Sequence, residues 1–257
     1  MSKPAVLLRT ASGTLEVGPV PRVVATLSAL PARCALAGDI VEVRLDKAGT
    51  PGPGVRGEVL STPKTGRLGQ ASLPSNWLAH CIEIQSSGKP VLLTVRLKAE
   101  GGEWETDGAT RLAIYLEALP ALAAVDVELS SPIAPMVANE AARLGKAAVI
   151  SFHDFVKTPP VEELCEIIKR QHAMGSIAKV STMIAQSEDV QLLRSLLRMD
   201  WPKPVCVIGM GQQWSETRVE FAALGSCLTY GYLDQPTAPG QISAVDLQQR
   251  LAARLNR

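Results

Sequence analysis

The chain has 257 residues, 46% of them hydrophobic, and Lys+Arg 26 against Asp+Glu 25 leave a formal net charge of +1. That is ample apolar material for a large folded core, and too little net charge to attract nucleic acid or an anionic membrane. Aromatic residues at 4% leave no base-stacking platform for single-stranded nucleic acid either.

The N-terminus reaches Arg9 after only a few apolar residues, too few for a signal peptide, and no apolar run approaches the roughly 20 residues of a membrane span. Five cysteines, Cys34, Cys81, Cys165, Cys206 and Cys227, lie far apart, without zinc spacing. They read as reduced thiols in a cytoplasmic protein that holds no metal.

Residues 7–18 read as a short hairpin with its turn at Ser12-Gly13. Apolar, β-branched runs then recur at 23–27, 40–46, 90–96, 124–129, 147–153, 177–183, 204–210 and 226–231. Helical patterns separate them at 28–37, 75–86, 108–119, 133–144, 161–174, 187–199 and 214–224, and a last one at 243–256 opens on Ser243 with Asp246 three residues on. Strand then helix, eight times, predicts an α/β fold, a single (β/α)8 barrel domain over 1–257 behind a short N-terminal hairpin. An open doubly wound sheet would be expected to carry a Gly-x-Gly-x-x-Gly turn after its first strand, and none is present. Residues 47–74, rich in Gly and Pro, form a long insertion, either a lid over a site or a mobile loop.

Side chains alternate along a strand, so residues two apart share a face. Glu42, Arg44 and Asp46 share one; so do Thr94 and Arg96, Asp126 and Glu128, Ser151 and His153, and Lys179 and Ser181. The apolar residues between them belong under the helices, which turns the polar sets into the lumen near the carboxyl ends of the strands, where barrel enzymes keep their chemistry. Buried charges must pair, and Glu42, Arg44, Asp46, Arg96 and Glu128 could satisfy one another.

Lys179, in the middle of an apolar strand, is open to two readings: a structural lysine that pairs or snorkels, or a desolvated amine used as a nucleophile. A desolvated amine near other cations can condense with a ketone to an iminium, which acidifies the neighbouring C–H. His153, one strand away, could take that proton and return it to a leaving hydroxyl. His80 and His172 fall on predicted helices and read as surface or helix-packing residues.

Glu42-Val43-Arg44-Leu45-Asp46, Thr94-Val95-Arg96 with Glu100-Gly101-Gly102-Glu103, and Ser151-Phe152-His153-Asp154-Phe155 with Thr158-Pro159 resemble the motifs of type I 3-dehydroquinate dehydratases. Lys179 with Asp189-Val190, Met210-Gly211, Arg218, Gly225-Ser226 and Ala238-Pro239-Gly240-Gln241 continue the resemblance in order, over roughly residues 20–250. The resemblance implies a shikimate-pathway lyase, of the chemistry that leads to chorismate and the aromatic amino acids, that converts 3-dehydroquinate to 3-dehydroshikimate without a cofactor; whether its role is biosynthetic or catabolic is left open by the sequence. It implies Lys179 as the Schiff-base lysine and His153 as general acid/base. By the same resemblance Glu42, Arg44 and Arg96 bind ring hydroxyls, and Arg218, Gln241 and Thr237 hold the carboxylate. Glu100 orients or balances charge, Met210 and Tyr230 line the pocket, and Thr26 supplies a small hydroxyl at the end of the first strand. Homodimers occur in the family, but no interface is legible in the pattern.

The chain departs from the family's Gly-x-x-Ser-Arg at Trp214-Ser215-Glu216-Thr217-Arg218, and has Thr237 where the family carries serine. Another Schiff-base barrel lyase or aldolase, or a ligand-binding barrel without activity, are the alternatives. Two arginines and Gln241 favour a carboxylate-bearing polyol over a sugar phosphate.

Overall fold

The computed structural model describes residues 4–32, 34–48, 73–74, 76–106 and 108–256. Most of the 47–74 insertion (49–72) therefore lies outside the described residues, and the expectation of a lid or mobile loop there with it.

An antiparallel hairpin, β1 (Val6–Thr10) and β2 (Gly13–Val17), turns at Ala11-Ser12, one residue earlier than the pattern suggests. Eight parallel strands follow: β3 (Arg22–Leu27), β4 (Ile40–Arg44), β5 (Val91–Thr94), β6 (Ala124–Glu128), β7 (Ala147–Asp154), β8 (Ile177–Met183), β9 (Val205–Met210) and β10 (Leu228–Tyr232). They pair in the order β10-β3-β4-β5-β6-β7-β8-β9. Between β9 and β10 the barrel is nearly closed. The Cys227 N–H donates to the Val205 carbonyl (2.9 Å), and the Ser226 hydroxyl stands in for a ladder group by accepting the Val207 N–H at 2.9 Å.

Among the described residues seven α-helices pack outside: α1 (Trp77–Ser86), α2 (Ala109–Ala118), α3 (Ala134–Arg143), α4 (Val161–Met174), α5 (Ser187–Arg198), α6 (Thr217–Leu224) and α7 (Ala244–Leu255). The helix expected at 28–37 does not form among the described residues. Pro31 lacks an N–H and restricts Leu30, and the Ser28 N–H and hydroxyl are bonded to Asp234, at 3.0 and 2.8 Å from its Oδ2. The last helix starts as its cap predicts, with Ser243 Oγ accepting the Asp246 N–H at 3.1 Å.

Period-two alternation sorts the side chains as expected. Val41, Val43, Leu45, Leu93, Val95, Val125 and Val127 are buried in the layer under the helices. In the lumen, Val24, Ile40, Leu92, Ala124, Val149, Ile177, Cys206 and Leu228 form an apolar floor, plugged from below by Leu8 and Val17 of the hairpin. Each Val, Ile or Leu side chain among them contributes about 1.5–3 kcal/mol when fully buried. The floor is apolar and buried, so polar groups one layer higher face each other and the barrel mouth.

Among the described residues no helix is long and apolar enough to cross a membrane, and no group of three or more His, Cys, Asp or Glu could hold a metal ion.

Candidate active site

Above the apolar floor, one pocket opens at the carboxyl ends of the strands. Its walls include Thr26, Glu42, Arg44, Arg96, Glu100, His153, Lys179, Met210, Arg218, Tyr230, Thr237 and Gln241. Two expected residues, Asp46 and Glu128, stand behind the walls, each gripping a wall arginine. Trp214 and Thr217 are also outside the walls. Trp214 packs on Gly211, whose φ of +131° and lack of a Cβ admit the ring.

Lys179 is 4% exposed. Its Nζ donates to Oδ2 of Asp126 at 2.9 Å and sits 4.2 Å from the centroid of the Tyr230 ring. Asp126 is the centre of the site's charge network. Its Oδ1 accepts from Arg96 Nη2 (2.6 Å) and from Ser151 Oγ (2.7 Å). Burial alone would push this carboxyl up, but the Arg96 and Lys179 charges hold it below the usual carboxylate range. Arg96 Nη1 donates to Glu128 (2.9 Å) and to Ser151 Oγ (2.7 Å). Against the effect of burial, Asp126, Glu128 and Glu100 push its guanidinium well above its ordinary value.

His153 is held by Glu100. Oε2 of that carboxylate lies 2.9 Å from Nδ1 and accepts the His153 backbone N–H at 3.1 Å. A carboxylate on Nδ1 places the proton there and leaves Nε2 as the basic nitrogen. Burial, reinforced by the Arg96 and Lys179 charges, drives the imidazole well below its usual value, so it is neutral at neutral pH. Glu100 itself is pushed up to about 6 by burial, against the Ser130 hydroxyl and Arg96. The carboxylates at Nζ and at Nδ1 are separate, so each group keeps its own orientation.

The remaining walls offer polar contacts of graded charge. Glu42 accepts hydroxyls from Thr26 and Thr94, both at 2.8 Å, in place of the arginine partners expected for it. Arg44 makes a two-point pair with Asp46 at 2.9 and 2.7 Å. Arg218 differs from the other two arginines: its contacts are carbonyls, those of Gly240 (3.0 Å), Pro239 (3.2 Å) and Tyr230 (3.3 Å), and burial lowers it to about 10. It is a buried cation whose charge no carboxylate balances among those contacts. Gln241 Oε1 accepts the Thr237 N–H (2.7 Å) and hydroxyl (3.0 Å), which ties the 237–241 loop together.

Several residues here were not singled out by sequence reasoning. Asp126 had a signal, since it shares a strand face with Glu128. Arg111 had none: it lies on α2, is fully buried, and reaches over the strand ends to bond Glu128 and the Val95 carbonyl. Phe155 stacks on His153, with centroids 6.3 Å apart, and packs against Gly101, where an added Cβ would lie 2.3 Å from the ring. His172 is buried against Trp201 and His80 lies on α1, neither at the site.

The type I 3-dehydroquinase family model matches residues 19–256. The 3-dehydroquinate dehydratase of Methanococcoides burtonii is 32% identical over 248 residues, covering 93% of this chain and 97% of its own. That of Methanocella arvoryzae is 32% identical over 218 residues, covering 84% and 88%. Among solved structures, a type I 3-dehydroquinate dehydratase from Clostridium difficile, crystallised with covalently modified comenic acid, superposes with a TM-score of 0.76 over 100% of this chain and 99% of its own, at 22% identity. The enzyme from Geobacillus kaustophilus gives 0.74 over 93% of each chain, at 21% identity. At those identities the structural likeness speaks to the fold.

Proposed function

Because the chain belongs to the type I 3-dehydroquinase family, we propose that it dehydrates 3-dehydroquinate to 3-dehydroshikimate through an iminium on Lys179, with His153 moving the protons. The observation that carries this reading is the presence in one pocket of a buried amine on Asp126 and a neutral histidine on Glu100.

Lys179 gives one proton to His153 Nε2, the neutral amine adds to the substrate ketone, and the carbinolamine takes that proton back and loses water, leaving an iminium whose nitrogen carries the positive charge. His153 Nε2 takes a proton from the adjacent carbon, and the C–H electron pair flows to nitrogen, giving a neutral enamine. The enamine then expels the β-hydroxyl, which leaves as water with the proton from His153. Water hydrolyses the resulting conjugated iminium and frees the enone and the lysine. Glu100 holds the histidine through each transfer. Arg218, Gln241 and Thr237 bind the carboxylate, where a buried cation bonded to carbonyls gains most from an anion. Glu42 and Arg44 take the ring hydroxyls. Arg96, with both terminal nitrogens occupied, acts mainly by holding Asp126. Thr26 and Asp46 steady Glu42 and Arg44, Glu128 steadies Arg96, and Met210 closes the apolar side.

The reading brings with it a single catalytic domain over 1–257, a cytoplasmic place in the shikimate pathway, and a homodimer as the assembly to be measured. Incubation with 3-dehydroquinate, followed by enone absorbance and borohydride trapping with mass analysis, tests it. We expect enone and a reduced adduct at Lys179, loss of the adduct in Lys179→Ala, and slowed turnover with adduct retained in His153→Ala. Full activity in Lys179→Ala would overturn the mechanism.

A further inference from the structure

We propose that the aromatic face of Tyr230 is a further catalytic group, holding the positive charge that the Lys179 nitrogen carries first as ammonium and then as iminium. The inference rests on the iminium reading above and concerns what stabilises that cation.

Tyr230 comes from β10 and points into the lumen, 4% exposed, with Lys179 Nζ 4.2 Å from its ring centroid. That distance is well inside the roughly 6 Å over which a ring face attracts a cation. Ile208 and Met210 stand in the same wall and lumen cluster, which keeps solvent from weakening the contact. The Tyr230 hydroxyl is buried without a hydrogen-bond partner among the described residues.

The charge balance of the reaction gives the ring its role. Condensation exchanges ammonium for iminium, so a cation-favouring face is satisfied before and after. Loss of the C–H proton makes the nitrogen neutral, and expulsion of the hydroxyl restores its charge. A ring face beside that nitrogen favours both charged states over the enamine between them, and favours the covalent iminium over free neutral amine.

A graded series tests this without altering shape. Tyr230→Phe provides the parent, and mono-, di- and trifluorophenylalanine at the same position drain the ring face of electron density. The readout is the fraction of chains trapped by borohydride at saturating product in alkaline buffer, where the uncombined amine is neutral and only the adduct carries the charge. We expect Tyr230→Phe to stay within about twofold of the unmodified enzyme, since its hydroxyl has no partner to lose. Across the fluorinated series the trapped fraction should fall stepwise by about tenfold, the loss of one desolvated cation–π contact. A flat series overturns the inference, as does a Phe variant already as depleted as the trifluoro one. No adduct even in the unmodified enzyme sinks the iminium reading and this inference with it, whereas a normal adduct with a flat series sinks this inference alone.

Discussion

Lys179 on β8 reaches past β7 to place its Nζ 2.9 Å from Oδ2 of Asp126 on β6, forming an ion pair that is almost wholly buried. The other oxygen of the same carboxylate holds Arg96, so one negative charge serves two cations. Asp126→Asn keeps the shape and removes that charge. It should destabilise the fold by about 3–5 kcal/mol and lower kcat/KM at least tenfold, measured by urea unfolding and initial rates. The sign with pH follows from the depressed carboxyl: the stability it contributes is present above the ordinary carboxylate range and is lost as pH falls below it. The gap between wild type and Asp126→Asn should therefore narrow in acid; a constant gap would remove the charge from the explanation.

Glu100 should set the acid limb of activity. Its carboxyl is raised to about 6, whereas His153 is neutral well below that. Protonating Glu100 takes away the anionic acceptor of the Nδ1 proton, so kcat/KM should fall as pH drops through about 6. In Glu100→Gln the limb should vanish and the rate should be low throughout. Stability moves the other way. A carboxyl raised from 4.5 to about 6 gives stability that is complete below the lower value and lost as pH rises through the higher. Glu100→Gln should thus be more stable above pH 6, by about 2 kcal/mol. A variant that is less stable there would show that the burial cost has been misjudged.

Arg218→Lys should separate binding from chemistry. The guanidinium bonds three carbonyls and can still reach an anion in the pocket, and a charge-assisted hydrogen bond contributes about 1.5–3 kcal/mol. The expected outcome is a KM raised roughly 10- to 100-fold with kcat changed much less. A fall in kcat at unchanged KM would argue against a carboxylate at this end of the pocket.

Asp234 clasps the loop that carries Thr237 and Gln241. Its carboxylate takes the Ser28 N–H and hydroxyl, and next to it the Leu233 N–H donates to the Thr26 carbonyl at 2.8 Å. Asp234→Ala releases the clasp at a position outside the pocket walls. KM should rise several-fold, and Gly240 and Gln241 amides should exchange faster with deuterium. Unchanged exchange would show that the remaining bonds, from the Leu233 N–H and from Gln235 to Ser28, hold the loop without it.

Much of this was legible in the chain. Eight apolar runs alternating with helical patterns predicted eight parallel strands, because a buried strand needs apolar residues on the helix-facing side whatever its neighbours are. The lumen-facing set, Glu42, Arg44, Thr94, Arg96, Ser151, His153 and Lys179, followed from period two alone. The expected helix at 28–37 was not legible as a loop, because Ser-Ala-Leu-Pro-Ala gives a helical composition while Pro31 and the distant Asp234 decide the backbone.

What the sequence determined by itself was therefore the faces: which side chain of each strand looks into the barrel and which lies under a helix. Only the tertiary structure decided the partners. Asp126 rather than another carboxylate meets Lys179 because strand register and barrel curvature bring β6 and β8 together across β7. Glu42 takes two threonine hydroxyls in place of an arginine, and Arg111 arrives from a helix that no strand pattern could place at the site. Alternation is local and repeats every two residues, whereas pairing depends on distances set by the curved, nearly closed sheet.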